Sequence, residues 1–158
     1  MGGASLTPAG GLALVSSARR FENWEFAYAL VLGLGEAARY ALAAGVERTG
    51  ARASEHAAYL RQRLAALPGV TVEDRGERLC AIVTASIAGL GAGGAGGLRE
   101  IVLALRRDGI NLHNITVPVA GRPPLPVLRI SPHYYNTREE LDSALSALSV
   151  RLAGAPHA

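Results

Sequence analysis

Apolar residues in the first half of the chain recur with the spacing of two successive helices. Residues 22–45 are apolar on almost every side of a helix, which is typical of a helix covered on several sides by other elements. Gly33 and Gly35 in that segment favour close packing against a neighbouring element. Residues 51–67 instead place their apolar side chains on one stripe among charged residues, and Pro68 ends the helix. This second helix is predicted to lie at the surface with one face buried.

The middle of the chain changes to short runs that are typical of strands. Residues 69–74 and 78–87 predict a hairpin with a short turn at residues 74–77, where Gly76 can adopt a positive φ. A glycine-rich loop then leads into a helix that ends at Gly109. The apolar stripe of this helix consists of Leu98, Ile101, Val102 and Leu105. A β-hairpin followed by an amphipathic helix is therefore expected.

The last third of the chain predicts two more strands and a final helix. The strands are residues 110–117 and 127–131, separated by a proline-rich loop at 118–126. Thr137 and Glu140 have the spacing of a capping box, which marks the start of the helix. The apolar face of this helix carries Leu141, Leu145, Leu148 and Leu152. The order of elements predicts an α+β fold, a two-layer sandwich in which a mainly antiparallel sheet is covered by helices.

Arg129 interrupts the apolar strand at residues 127–131. Because side chains alternate along a strand, Leu128 and Ile130 are expected to face the helices while Arg129 faces the opposite side of the sheet. A guanidinium held on a strand can bind a carboxylate through two parallel hydrogen bonds. From spacing alone, two roles stay open for Arg129, a structural salt bridge and a carboxylate-binding site, and the salt bridge is favoured.

Composition excludes several classes of function. The chain has 158 residues, enough for one domain with a core and too few for two ordinary domains. Its 16 basic residues are all arginine, so it can form neither a Walker A loop nor a lysine Schiff base. The net charge of +3 comes from scattered positions, and nucleic acid is therefore not expected as a partner.

The single cysteine and the apolar segments bear on location. Cys80 cannot form an internal disulfide or a cysteine-based metal cluster, which fits a reducing, cytoplasmic setting. The N-terminal segment is not expected to be a signal peptide, because Arg19 and Arg20 follow its apolar stretch instead of preceding it. The later apolar run contains Glu36 and Arg39, so a buried helix is expected there rather than a membrane span.

Three patterns resemble sites but have simpler explanations. Gly91, Gly93 and Gly96 match G-x-G-x-x-G, but the acidic residue expected about twenty positions later is missing, so a flexible loop is preferred to a dinucleotide site. Glu139 and Glu140 lie in the first turn of a helix, where the helix dipole explains acidic residues. No metal site is predicted from the histidines, which lack metal-ligand spacing. They are His56, His113, His133 and His157.

Four segments, taken in order, resemble the C-terminal small domain of the class V aminotransferases. This family of fold type I enzymes, dependent on pyridoxal phosphate (PLP), includes cysteine desulfurases and isopenicillin N epimerase-like proteins. The segments are residues 18–45, 67–84, 105–114 and 127–142. The last is the most specific, because R-x-S followed by Y-N-T-x-E-E recurs in the family where an arginine binds the substrate α-carboxylate. The resemblance implies that role for Arg129.

The resemblance also implies PLP as a cofactor and an amino-acid-like substrate, with departures. In the family, the Schiff-base lysine, the aspartate on the pyridine nitrogen and most phosphate contacts lie in a larger N-terminal domain that these residues do not include. No catalytic or cofactor-binding residue is assigned, and no covalent PLP is expected on this chain. Residues 110–124 lack the reactive cysteine of many desulfurases, which disfavours sulfur transfer. Asn23 and Trp24 stand where desulfurases commonly have Gly-Thr after R-F-E.

Three functions remain open after this comparison. The first is a small domain that contributes Arg129 to an enzyme and needs a large domain for activity; the others are a non-catalytic dimerisation or binding module and a truncated remnant. We expect residues 18–153 to form the class V aminotransferase-like domain, after a flexible segment at 1–17 and before a tail at 154–158. A homo-oligomer or a large-domain partner chain is expected, because the first helix is too apolar to leave one face in water.

Overall fold

The computed structural model describes residues 3–21, 25–90, 95–121 and 123–153. The chain divides into two compact units, Met1–Ala44 and Gly45–Ala158. The boundaries expected at residues 17 and 153 concern the extent of the family domain and stay predictions. The first unit contains β1 (Ala4–Leu6), β2 (Leu12–Leu14), a 3-10 turn (Ala18–Phe21) and helix α1 (Tyr28–Ala44). Strands β1 and β2 pair in antiparallel fashion.

Helix α1 differs from its prediction in its start and in its burial. It begins at Tyr28 rather than near residue 22, and residues 25–27 precede it without helical structure. None of its side chains is buried, so the prediction of a helix covered on several sides is wrong within this chain. Its exposed side chains include Leu30 (74%), Leu34 (70%) and Leu42 (71%). An apolar pattern identifies a surface suited to being covered but does not specify the molecule that covers it.

The second unit is a four-stranded antiparallel sheet with helices against one face. Its strands have the order β3-β4-β6-β5 in the sheet, and every neighbouring pair is antiparallel. The strands are β3 (Val70–Val72), β4 (Val83–Ile87), β5 (His113–Val117) and β6 (Leu125–Ile130). The helices are α2 (Val46–Ala65), α3 (Ala95–Arg107) and α4 (Arg138–Ala153). The predicted α+β sandwich is thus confirmed.

The core lies between the sheet and these three helices. Alternate residues of the two central strands face it, and the apolar stripes of the helices face it from the other side. The buried strand residues are Val83, Ala85, Ile87, Leu128 and Ile130. The buried helix residues include Leu60, Leu64, Leu98, Leu105, Leu141, Leu145 and Leu148. Among the described residues, no single helix is long and apolar enough to cross a membrane. By length and composition, α1 and α2 could do so only when taken together, with a break at Gly45.

Two helix ends that local sequence signals predict are present in the structure. Gly109 has φ 80°, and its N–H donates to the carbonyl of Arg106 while the N–H of Ile110 donates to that of Leu105. This pair of bonds is the Schellman ending of α3. At the start of α4, the N–H of Glu140 donates to the Thr137 hydroxyl (3.2 Å), and the N–H of Thr137 donates to the Glu140 carboxylate (3.0 Å). The predicted capping box is confirmed.

The connection between β3 and β4 is longer than the predicted turn. Strand β4 begins at Val83, and Cys80 lies in an exposed loop instead of a strand. The guanidinium of Arg61 on α2 explains the difference, because it donates to the carbonyl oxygens of Cys80 (2.7 Å) and Ile82 (3.0 Å). Those carbonyls bind a side chain instead of a neighbouring strand. Gly76 has the predicted positive φ, 118°.

Candidate functional site

Arg129 lies on β6, one of the two central strands, and its side chain faces away from the helices. Leu128 and Ile130 on either side of it are buried in the core, as alternation predicts, while Arg129 is partly exposed. The sheet surface opposite the helices is called the outer face below. It carries Thr84, Ser86, His113, Val127 and Arg129. The sheet therefore presents a guanidinium from its middle rather than from a mobile edge.

Two polar residues flank Arg129 across the sheet. Thr84 on β4 and His113 on β5 are its direct partners in the strand register. Directly opposed residues in antiparallel strands have Cβ atoms about 4.5–5.5 Å apart, so the three side chains form one row on the outer face. Thr84 is partly buried and His113 is exposed. The row combines a permanent cation with a hydroxyl and an imidazole.

The carboxylates near this row are occupied by other donors. Asp74 accepts hydrogen bonds from the N–H (2.9 Å) and the hydroxyl (2.6 Å) of Thr84, and also pairs with Arg61 (2.8 Å). Glu73 accepts a hydrogen bond from the Ser86 hydroxyl (2.5 Å). Within residues 3–21, 25–90, 95–121 and 123–153, the side chain of Arg129 forms no hydrogen bond or ion pair. The salt bridge that spacing favoured for Arg129 is therefore not found in the described part of the chain.

Half-burial makes an unpaired guanidinium a strong anion-binding group. Arginine presents donors in a planar fork that matches the two oxygens of a carboxylate. A charge-assisted pair of this kind is stronger where water is partly excluded than on an open surface. The outer face at Arg129 can thus bind a carboxylate in a fixed orientation, with Thr84 and His113 beside it.

The other acidic candidates serve the helix end. The backbone N–H of Thr137 and then the side-chain amide of Asn136 lower the pKa of the Glu140 carboxyl below its usual value. A backbone hydrogen bond at Glu139 itself, followed by one from the Thr137 hydroxyl, lowers the pKa of Glu139 in the same way. Both carboxylates are held as anions at the N-terminus of α4, which agrees with the helix-dipole explanation.

The remaining sequence candidates do not converge on one place. Gly91 and Gly93 lie outside the described residues, so the proposed loop at the glycine pattern is not described. His157 likewise lies outside them. Among the described residues, no group of three or more histidine, cysteine or acidic side chains could hold a metal ion. His133 packs against the rings of Tyr134 and Tyr135, and His56 is buried on α2.

Sequence reasoning missed Thr84 and His113 as neighbours of Arg129. The alternation Val83-Thr84-Ala85-Ser86 in β4 does indicate an apolar inner face and a polar outer face. What it does not indicate is that β6 inserts between β4 and β5, which brings residues distant in sequence into one row. The missing signal was therefore strand order, which is a long-range property.

Fold and sequence together identify the class of protein. The model of the class V aminotransferase family matches residues 12–144, which is most of the chain. The chain belongs to the class V aminotransferase family. No curated protein matches the sequence at a significant level.

Solved structures of larger enzymes share this fold. The cystine C–S lyase C-DES, in complex with its reaction product cysteine persulfide, is 22% identical with a TM-score of 0.64, and the alignment covers 94% of this chain and 36% of that one. A mutant of C-DES with glycine covalently linked to its PLP cofactor gives the same values. The apo cysteine desulfurase from Thermococcus onnurineus NA1 is 18% identical with a TM-score of 0.68, and the alignment covers 98% and 38%. The chain therefore spans little more than a third of the length of these proteins.

The residues of this chain do not fit PLP as a covalently held cofactor. PLP enzymes hold the cofactor through the amine of a lysine side chain, and these 158 residues contain no lysine. The planar guanidinium of Arg129 matches the two oxygens of a carboxylate. What this part of the fold offers is a guanidinium whose shape matches a carboxylate.

Proposed function

We propose that this chain is the small domain of a PLP-dependent class V aminotransferase-like enzyme, in which Arg129 binds the α-carboxylate of an amino-acid-like substrate. The observation that carries the proposal is the half-buried guanidinium of Arg129 in the middle of the outer face, which has no partner among the described residues. The pairing of Asp74 with Arg61 and of Glu73 with Ser86 supports it, since neither carboxylate is left to compete for Arg129. Family membership and the coverage of about a third of the related structures support a part of a larger enzyme.

The contribution of the chain is binding and orientation. Two parallel hydrogen bonds from the guanidinium would fix both position and plane of a carboxylate, and a central strand holds them more rigidly than a loop. His113 lies next to Arg129 on β5 and is exposed, so its ring N–H is placed to donate a further hydrogen bond to the same anion. Thr84 is held by Asp74 and keeps the other side of the site fixed.

Activity requires groups that this chain does not contain. The absence of lysine means that the amine needed for cofactor chemistry comes from a large domain, on another chain or on a longer form of this one. Among residues 110–121 and 123–124 there is no cysteine, and Cys80 lies in a separate loop beside β3 and β4, so sulfur transfer is not part of the proposal. We place the protein in the cytoplasm, in line with its single free cysteine.

A non-catalytic dimerisation or binding module is the second candidate. The exposure of the leucines of α1 and of the first hairpin favours it, because large apolar surfaces in water mark interaction sites. Leu6, Leu12 and Leu14 of the hairpin are 77%, 75% and 75% exposed. This surface is compatible with either a second copy of the chain or a large-domain partner.

Binding of a minimal amino-acid analogue tests the proposal on the chain itself. N-acetylglycine is titrated into isotopically labelled protein, and chemical shifts of residues 84, 113 and 128–130 are followed. We expect saturable shifts for N-acetylglycine, none for its neutral amide, and loss of the response in Arg129→Gln. Arg99→Gln is the matched control, since Arg99 is exposed on α3 on the helical side of the sheet. Equal responses in both variants would refute the assignment of Arg129.

A further inference from the structure

A cavity of about 510 Å³ lies on the outer face of the sheet. Most of its lining residues are apolar and come from β5, β6 and the loop between them. They include Val117, Val119, Ala120, Leu125 and Val127. Its polar lining residues are Glu73, Arg75 and Thr84. The cavity lies in the second unit alone and is separate from the core on the other side of the sheet.

The strand register places this cavity beside Arg129. Thr84 lines the cavity and is the direct cross-strand partner of Arg129. Val127 also lines it and precedes Arg129 by two residues on the same face of β6, a separation of about 6.8 Å along a strand. A ligand whose carboxylate binds Arg129 would therefore have this space within reach of its side chain.

Described residues of the loop after β5 line the cavity on the outer face. Val127 points away from the core, yet its exposure is 0%, so it is covered from the outer side. Pro118 and Pro123 of the loop line the same cavity, and their rings restrict the backbone of this cover. The cavity is thus lined jointly by sheet residues and by loop residues 118–120 and 123.

The polar residues of the lining are already satisfied or solvated. Glu73 binds the Ser86 hydroxyl, and the Thr84 hydroxyl donates to Asp74. Arg75 is exposed to solvent. Beside these polar groups, seven of the ten lining residues offer apolar side chains to a ligand, in a volume within the range of about 300–1,000 Å³ that is usual for small-molecule sites. Such a volume is much larger than a side chain of one or two carbons needs.

We infer that this cavity is the side-chain subsite of the Arg129 site and selects amino-acid-like carboxylates with bulky apolar side chains, such as aryl groups. The inference rests on the proposed role of Arg129 and adds the class of substrate to it. The carboxylate binds the guanidinium, and the apolar side chain displaces water from the space between the sheet and the loop. Small substrates such as cysteine or alanine would leave this space to water.

The test compares ligands that differ in one group at a time. N-acetylphenylalanine, N-acetylglycine and N-acetylphenylalaninamide are titrated into the full chain, and methyl shifts of Val117, Leu125 and Val127 report on the cavity. We expect N-acetylphenylalanine to bind at least about tenfold more tightly than N-acetylglycine, because an aromatic side chain leaves water. The neutral amide should bind more weakly than the acid and should be insensitive to Arg129→Gln.

Filling the cavity from its exposed loop separates the subsite from the carboxylate site. Ala120→Trp should reduce the affinity for N-acetylphenylalanine to that of N-acetylglycine and leave N-acetylglycine unchanged, while Ala120→Leu should give an intermediate loss. Ala51→Trp on the exposed side of α2 is the control. Melting curves establish whether each variant is folded. If Ala120→Trp is not folded, Ala120→Leu takes its place in the comparison.

The outcomes distinguish the proposed carboxylate site at Arg129 from the proposed side-chain subsite in the cavity. If both acids bind equally tightly and both require Arg129, the carboxylate site stands and the subsite is wrong. If neither acid depends on Arg129, the proposed function itself fails. If acid and amide bind equally, lose affinity in Ala120→Trp and ignore Arg129→Gln, the cavity is an independent apolar site and the inference is overturned.

Discussion

The carboxylate of Asp74 pairs with Arg61 on α2, at 2.8 Å, and not with Arg129, although Asp74 and Arg129 both adjoin Thr84. The Asp74 side chain is only 9% exposed, so its charge needs a partner, and Arg61 supplies one from the helical layer. Arg61 also closes the loop before β4 through its bonds to two backbone carbonyls. Arg61 thus shapes the fold and also keeps Asp74 from pairing with Arg129.

Replacing Asp74 separates these two consequences. Asp74→Asn keeps the shape but weakens the bond to Arg61, so we expect the free energy of unfolding to fall by about 1–3 kcal/mol. The affinity for N-acetylglycine should change by less than about twofold, because Asp74 does not pair with Arg129. Chemical denaturation and the ligand titration measure the two effects. A markedly tighter ligand affinity would show that Asp74 competes for Arg129 in solution.

The absence of lysine predicts how the isolated chain reacts with PLP. After incubation with PLP and reduction with borohydride, we expect no stoichiometric adduct on any side chain, because the only primary amine is the N-terminal one. Intact-mass and peptide mass analysis detect and locate any adduct. Blocking the N-terminus by acetylation provides the control and should remove residual labelling. A stoichiometric adduct at another position would contradict this expectation.

The exposed leucines of α1 predict association. Sedimentation over a concentration series should show the chain assembling with itself, and Leu30→Glu with Leu34→Glu should shift it toward the monomer. These two positions are one helical turn apart and share a face, so the paired charges disrupt one surface. Ala66→Glu, at an exposed position of the second unit, is the control. A wild-type chain that stays monomeric at every concentration would remove the argument for a partner that covers α1.

Much of the second unit could be predicted because its signals are local. The stripes of α2 and α4 follow from the helical period, and the ends at Gly109 and Thr137 follow from residues within one turn. The start of β4 could not be predicted, since Arg61 binds carbonyls about twenty positions away in the chain. The exposure of α1 also escaped prediction, because helical periodicity describes the chain and not its partners.

The candidate site was predicted only at its central residue. Alternation along β6 placed Arg129 on the face away from the helices, and the structure agrees. Its neighbours Thr84 and His113 depend on the strand order β3-β4-β6-β5, in which β6 lies between strands that precede it in sequence. The cavity depends further on the loop after β5, whose residues line it together with Val127. The neighbours of Arg129 and the cavity both depend on contacts between residues distant in sequence, which a periodic pattern does not describe.

The capping box of α4 predicts a stability that depends on pH. Thr137→Ala should lower the free energy of unfolding by about 1 kcal/mol, whereas Thr137→Ser should retain most of it. The pKa of Glu140 is lowered in the folded state, first by the N–H of Thr137, so its contribution is present above the ordinary carboxyl pKa. That contribution is lost as the pH falls through the folded-state pKa. Glu140→Gln should therefore be less stable than the wild type at neutral pH and match it in acid, as followed by thermal melting.

Replacing Arg129 with lysine tests the shape of the guanidinium separately from its charge, once a large domain is found or supplied from a related enzyme to reconstitute activity. Arg129→Lys keeps the positive charge but loses the planar fork, so a two-point contact with the substrate carboxylate becomes a single-point one. We expect a cost of about 1.5–3 kcal/mol, or roughly a tenfold to hundredfold loss in kcat/KM. A substrate analogue without the carboxylate should be nearly indifferent, and Arg99→Lys should leave both unchanged. If Arg129→Lys instead lowers the Tm and weakens both substrates equally, Arg129 supports the fold, and the carboxylate belongs elsewhere.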